Sequence, residues 1–107
     1  MTLLENMQKL RILYIEIGKY VQKYGNGKYS AALELLMDQI RCIDSEAAFE
    51  EKREYLLNGY DSLFVNNGGL SDFIIYEPCE ETRIELNEKF QEEVTEIFKT
   101  IKEIAKI

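Results

Sequence analysis

The chain has 107 residues, 46% of them hydrophobic, with 13 basic and 20 acidic side chains, two cysteines, no histidine and a net charge of −7. That length supports one domain, residues 1–107, with a core able to hold itself without metal or disulfide. The missing histidine removes the commonest general base near neutral pH and the commonest transition-metal ligand, and the acidic excess argues against binding nucleic acid through its phosphates.

Thr2 and Glu5 have the spacing of a capping box, in which each side chain satisfies the other's backbone N–H, so a helix starts there. Leu3, Met7, Leu10, Tyr14, Ile17, Val21 and Tyr24 follow in steps of four and three and make one apolar stripe. Gly25-Asn26-Gly27 stops the helix, since a helix C-terminus commonly needs a left-handed residue. A second helix runs from about Tyr29-Ser30 to Ile43 with Tyr29, Leu33, Leu36, Ile40 and Ile43 inward, and the short turn makes it antiparallel to the first. Asp44 or Ser45 is suited to cap a third helix reaching Leu57, with Phe49, Leu56 and Leu57 inward, Glu50, Glu51, Lys52 and Glu54 in solvent, and Asn58-Gly59 as the stop.

The helical period fails between residues 60 and 76. Two apolar runs, Leu63-Phe64-Val65 and Phe73-Ile74-Ile75-Tyr76, flank Asn66-Asn67-Gly68-Gly69, and two pictures fit. The runs pair as a small hairpin, or residues 60–65 form a helical turn and only residues 73–76 are extended. Either way the excursion has to pack on helices, because an isolated hairpin is marginal. Pro78 ends whatever precedes it. A last helix then spans residues 80–106, its face formed by Leu86, Phe90, Val94, Ile97, Phe98, Ile101 and Ile104, with glutamates early and Lys99, Lys102 and Lys106 late, as the helix dipole favours. The expected architecture is therefore mainly α: an antiparallel bundle of about four helices with a short extended or hairpin excursion at residues 60–76.

No apolar run approaches the roughly 18 residues of a membrane span, and the N-terminus has no basic segment followed by an apolar run and a cleavage site. A cytoplasmic protein off the membrane is expected. Cys42 and Cys79 stand far apart and in no metal-ligand spacing, so neither a disulfide nor a metal site is indicated.

No serine or cysteine has a histidine partner or a nucleophile-elbow pattern, so an enzyme is not expected, and no cofactor. Glu81, Glu85, Glu88, Glu92 and Glu96 share one helix face, but a carboxylate di-metal site wants Glu-x-x-His motifs pointing inward, so a solvated face is the reading. Charge is concentrated: residues 1–43 sum to +2, residues 44–96 to −11 and residues 97–107 to +2. A dense acidic segment beside an aromatic-flanked loop suits docking into a basic cleft, because complementary potential speeds association and excludes wrong partners. The candidate binding residues are Asp61, Asp72, Glu77, Glu80 and Glu81 as phosphate mimics, with Tyr60, Phe73 and Tyr76 as buried anchors.

The stretch Leu63-Phe64-Val65-Asn66-Asn67-Gly68-Gly69-Leu70-Ser71-Asp72-Phe73, followed by an acidic amphipathic helix, resembles small bacterial proteins regarded as immunity proteins of polymorphic toxin systems. The likeness covers about a third of the chain and carries over no catalytic residue. The resemblance implies a cytoplasmic protein that binds and blocks a cognate toxin domain; the acidic segment points to a basic, nuclease-type one, and a monomer or homodimer is expected. The alternative is a helical adaptor or regulator that self-associates through its apolar stripes.

Overall fold

The computed structural model describes residues 2–64 and 69–106. Four α-helices make up the fold: α1 is Leu3–Tyr24, α2 is Ser30–Asp44, α3 is Phe49–Leu63 and α4 is Glu80–Lys106, with one turn of 3-10 helix at Leu70–Asp72. Each helix packs on its two neighbours in the cycle α1, α2, α3, α4. Cross-helix contacts set the directions. Lys9 bonds Glu96 at 3.1 Å while Tyr20 meets Phe90 edge-on, so α1 and α4 are antiparallel. Arg53 reaches Ile104 O while Tyr60 meets Phe98, so α3 and α4 are antiparallel as well. The result is an up-down-up-down bundle, as the short connections after α1 and α2 require.

The stripes expected from the sequence form the core: Met7, Leu10, Tyr14, Ile17 and Val21 from α1, Leu36 and Ile43 from α2, Leu56 and Leu63 from α3, and Phe90, Ile97, Ile101 and Ile104 from α4 are buried. Each such side chain contributes about 1.5–3 kcal/mol of transfer free energy. The capping box is in place, with Thr2 Oγ1 accepting from Glu5 N–H at 3.1 Å and Glu5 Oε1 from Thr2 N–H at 3.4 Å. The left-handed residues that end α1 are Asn26 (φ 52°) and Gly27 (φ 74°). Inside the core the Tyr14 hydroxyl and Gln39 Oε1 have no hydrogen-bond partner among the described residues, and burial pushes the Tyr14 phenol well above its ordinary pKa.

Helix α3 differs from its sequence reading. It starts after Ala48 without a side-chain cap, because Ser45 is spent on the end of α2, donating to Cys42 O at 2.7 Å and accepting from Ala47 N–H. It also passes through Asn58-Gly59 and ends at Leu63. Gly59 is buried against the Gln39 side chain, where a β-carbon would overlap the amide, so this glycine serves close helix packing instead of stopping the helix. Phe49, expected inward, is half exposed at the open end of α3, whereas Lys52, expected in solvent, is buried with its Nζ 2.9 Å from Ile43 O. Phe98 also lies outside the core, with Lys102 Nζ 4.8 Å from its ring centroid.

Among the described residues there is no strand, and the hairpin is not formed: Leu63 is helical and Phe64 caps α3. Val65, Asn66, Asn67 and Gly68 of that reading lie outside the described residues. The second picture holds to the extent described, with α3 covering residues 60–63 and residues 73–77 free of helix. No helix among the described residues is long and apolar enough to cross a membrane.

Candidate functional site

Residues 69–79, called the strap here, run back along the N-terminal half of α4 in the place that a longer α3 would otherwise fill. Burial alternates along it: Phe73 and Ile75 are 2% and 0% exposed, while Ile74 and Tyr76 are 53% and 77% exposed. The period of two is that of an extended chain with one face on a core. Phe73 fits between Tyr29 and Phe90, with ring centroids at 5.2 and 4.9 Å. Ile75 is held by Asn87, whose Oδ1 accepts from Ile75 N–H and whose Nδ2 donates to Ile75 O, both at 2.9 Å. The same Nδ2 donates to Arg83 O, Arg83 Nη1 donates to Glu77 O at 3.4 Å, Tyr29 Oη donates to Asp72 O and Ser71 Oγ donates to Phe64 O. The strap is thus tied to α2, α3 and α4.

These ties decide what faces outward. Ile74 and Tyr76 are exposed, and half-buried Glu77 and exposed Glu80 and Glu81 follow them in the chain. Next to them an open groove of about 860 Å³ follows the outer side of α4 from Arg83 to Lys99, with half-exposed Ile84 near its upper end and Glu88, Glu92 and Glu96 along it. Glu85 pairs with Lys89 and Glu96 with Lys9 and Lys99; the Lys9 hydrogen bond holds the Glu96 carboxyl below the usual carboxylate range. Among the described residues no group of three or more acidic or sulfur side chains is placed to hold a metal.

At the junction of strap and helix, Cys79 O accepts the first helical bond of α4 from Arg83 N–H. The exposed Cys79 thiol lies below its ordinary pKa, chiefly because the Thr82 hydroxyl and then the Thr82 amide bond the sulfur. Cys42 shifts the opposite way through burial. Across the α1–α4 seam, Glu93 is raised by burial first and by the Glu16 carboxylate second.

The structure separates the eight residues singled out from the sequence. Asp72, Tyr76, Glu77, Glu80 and Glu81 lie on the strap and the start of α4, all but Glu77 exposed, with Asp72 at the far end of the strap from Glu80. Phe73 belongs to the core and is no surface anchor. Tyr60 is half-buried against Phe64 and Phe98, and exposed Asp61 follows it on α3. Phe98 lies about 27 Å down α4 from Glu80 at roughly 1.5 Å per residue, so Tyr60 and Asp61 are remote from the start of α4 and lie nearer the Leu70–Asp72 end of the strap, where Ser71 bonds Phe64 O. Ile74, Ile84 and Asn87 were missed. The continuous apolar run of residues 73–76 hid which of its side chains face outward, and nothing local signalled that Asn87 would bind backbone twelve residues away. No family of known proteins, no curated protein and no solved structure matches this chain.

Proposed function

We propose that this chain is a non-catalytic protein-binding module, a cytoplasmic immunity-type protein that neutralises a cognate basic toxin domain through the strap and the acidic start of α4. The observation that carries the reading is Tyr76, 77% exposed beside Ile75, whose N–H and C=O are both locked by Asn87, and followed in the chain by Glu77, Glu80 and Glu81. A large side chain held in place loses little freedom on docking, and aromatic residues are favoured binding anchors. The surrounding carboxylates supply long-range attraction for a basic partner and repel acidic ones. The first experiment is capture of partners from the native lysate with tagged protein at low and high salt, repeated with Tyr76→Ala and with Glu77→Lys plus Glu80→Lys. A basic toxin-like partner should be recovered by the parent protein, lost at high salt and lost by the charge-reversed variant while its melting temperature stays close to that of the parent. Equal recovery by all forms would sink the proposed face.

A second reading, a self-associating adaptor, has a different surface behind it. The stripes of α1 and α4 are consumed within one chain, but Leu4, Ile12 and Met37 are at least half exposed on the outer sides of α1 and α2. Sedimentation at rising concentration separates the two: a dimer abolished by Ile12→Glu would support the adaptor, and a monomer throughout would remove it.

A further inference from the structure

Residues 73–77 have one backbone edge in use and the other open. Ile75 N–H and C=O both engage the Asn87 amide, and Glu77 C=O accepts from Arg83, so residues 75 and 77 direct these groups toward α4. Successive peptide groups of an extended chain point to opposite edges. Ile74 and Tyr76 therefore direct theirs away from α4, and no hydrogen bond engages their N–H or C=O among the described residues. Their side chains are the exposed ones, 53% and 77%, as solvent-side neighbours of buried Phe73 and Ile75. The Asn87 amide stands in for a neighbouring strand on one side. On the other side the backbone offers two donors and two acceptors, spaced like the edge of a sheet.

We propose that this open edge is a β-addition site, which takes an extended basic segment of the partner protein as an adjoining strand. The proposal deepens the protein-binding reading and rests on it. Main-chain bonds would supply affinity, and the alternating side chains beside Ile74 and Tyr76 would supply specificity. Charge selects the occupant. Pairing with a second copy's strap would bring two acidic segments together, and like charges across an interface are penalised. A segment with lysine or arginine at alternate positions meets the opposite net charge of the strap and the start of α4. Edges are commonly protected from stray pairing by lysine or proline. Here Pro78 closes one end and the acidic flanks turn away acidic strands, which leaves a basic strand as the partner that fits.

The test uses the full chain and a seven-residue peptide of alternating lysine and valine, blocked at both ends, beside two twins: one methylated at every backbone nitrogen, the other with glutamate for lysine. Titration followed through the amide NMR signals should show saturable binding of the first peptide, with the Ile74 and Tyr76 amides shifting most and their hydrogen exchange slowing about tenfold. Both twins should bind at least about tenfold more weakly. Equal binding by the methylated twin, unmoved Ile74 and Tyr76 amides, or no saturable binding would each overturn the edge. If the lysate partner is still released by Glu77→Lys plus Glu80→Lys in that case, the acidic face stands and only the strand addition falls.

Discussion

Gly59 lies directly beneath the buried Gln39 side chain, in the middle of α3. A methyl group there has to displace the Gln39 amide, which is 2% exposed and has little room to swing. Gly59→Ala should therefore destabilise the fold by about 1–3 kcal/mol, the usual cost of overpacking, although alanine is the better helix former. In a Gln39→Ala background the same change should cost little or become favourable, because the overlapping group is gone and only the propensity gain remains. Denaturant unfolding of the four forms as a double-mutant cycle measures this, and an equal loss in both backgrounds would show that Gln39 is not the obstacle. The residue also marks the limit of local reading. Asn58-Gly59 carries a strong stop signal, and what overrides it is the approach of a second helix, which no spacing within α3 encodes. Phe49 and Lys52 exchange their expected environments for the same reason: the first stands beyond the end of its neighbours, and the second lies beside the free carbonyl of Ile43 at the end of α2.

At the scale of elements, periodicity was sufficient wherever both ends of a helix carried local chemistry. Thr2 and Glu5 start α1, and Asn26 and Gly27 end it. The strap is half legible: an extended run can be read from the aromatic and β-branched residues Phe73-Ile74-Ile75-Tyr76, but which of them face inward and what the run pairs with cannot, since one edge is satisfied by a side chain of α4 and not by another strand. Asn87→Ala should make that dependence measurable. It removes both bonds to Ile75 and leaves a buried residue's N–H and C=O without partners, at a cost of about 2 kcal/mol. The Ile75 amide should exchange much faster in the variant, while amides in the middle of α1 and α2 lose protection only in proportion to the global change. Unchanged exchange at Ile75 would mean that the packing of Phe73 and Leu70 and the bonds from Tyr29, Ser71 and Arg83 hold the strap without Asn87. A similar dependence ties α4 to α3 at the other end of the bundle, where Arg53 donates to Ile104 O and Ala105 O, carbonyls that the helix itself leaves unbonded.

For the molecule as a whole, the charge segregation visible in the sequence becomes a division of surfaces, with an acidic excess on α2, α3, the strap and α4 and a slight basic excess on α1. Stability follows pH in two opposing ways. Asp44, lowered chiefly by its hydrogen bond to Arg11 at 2.8 Å, and Glu96, lowered by Lys9, favour the fold above the ordinary carboxylate range, and that contribution is lost as pH falls through their depressed values. Glu93 has the other sign. Its folded pKa is raised by burial and by Glu16, so its contribution is most favourable when it is protonated and is lost as pH rises through that raised value. Glu93→Gln should accordingly raise the melting temperature at pH 7.5 and leave it nearly unchanged at pH 4, where the parent side chain is already neutral. Equal shifts at both pH values would assign the effect to packing and not to ionisation.

The pairing of α1 with α4, the most extensive helix seam of the bundle, joins the two ends of the chain in sequence. During synthesis the stripe of Met7, Leu10, Tyr14, Ile17 and Val21 is made first, and Phe90, Ile97, Ile101 and Ile104 are made last. A ribosome-bound chain that has not yet released its last helix holds an apolar surface with no native cover, and α2 and α3 alone leave the core open on one side. The fold therefore closes only once α4 has emerged. Helix α4 is then both the lid of the core and the support of the strap, so a chain cut short before it would lack a closed core and a presented Tyr76 together.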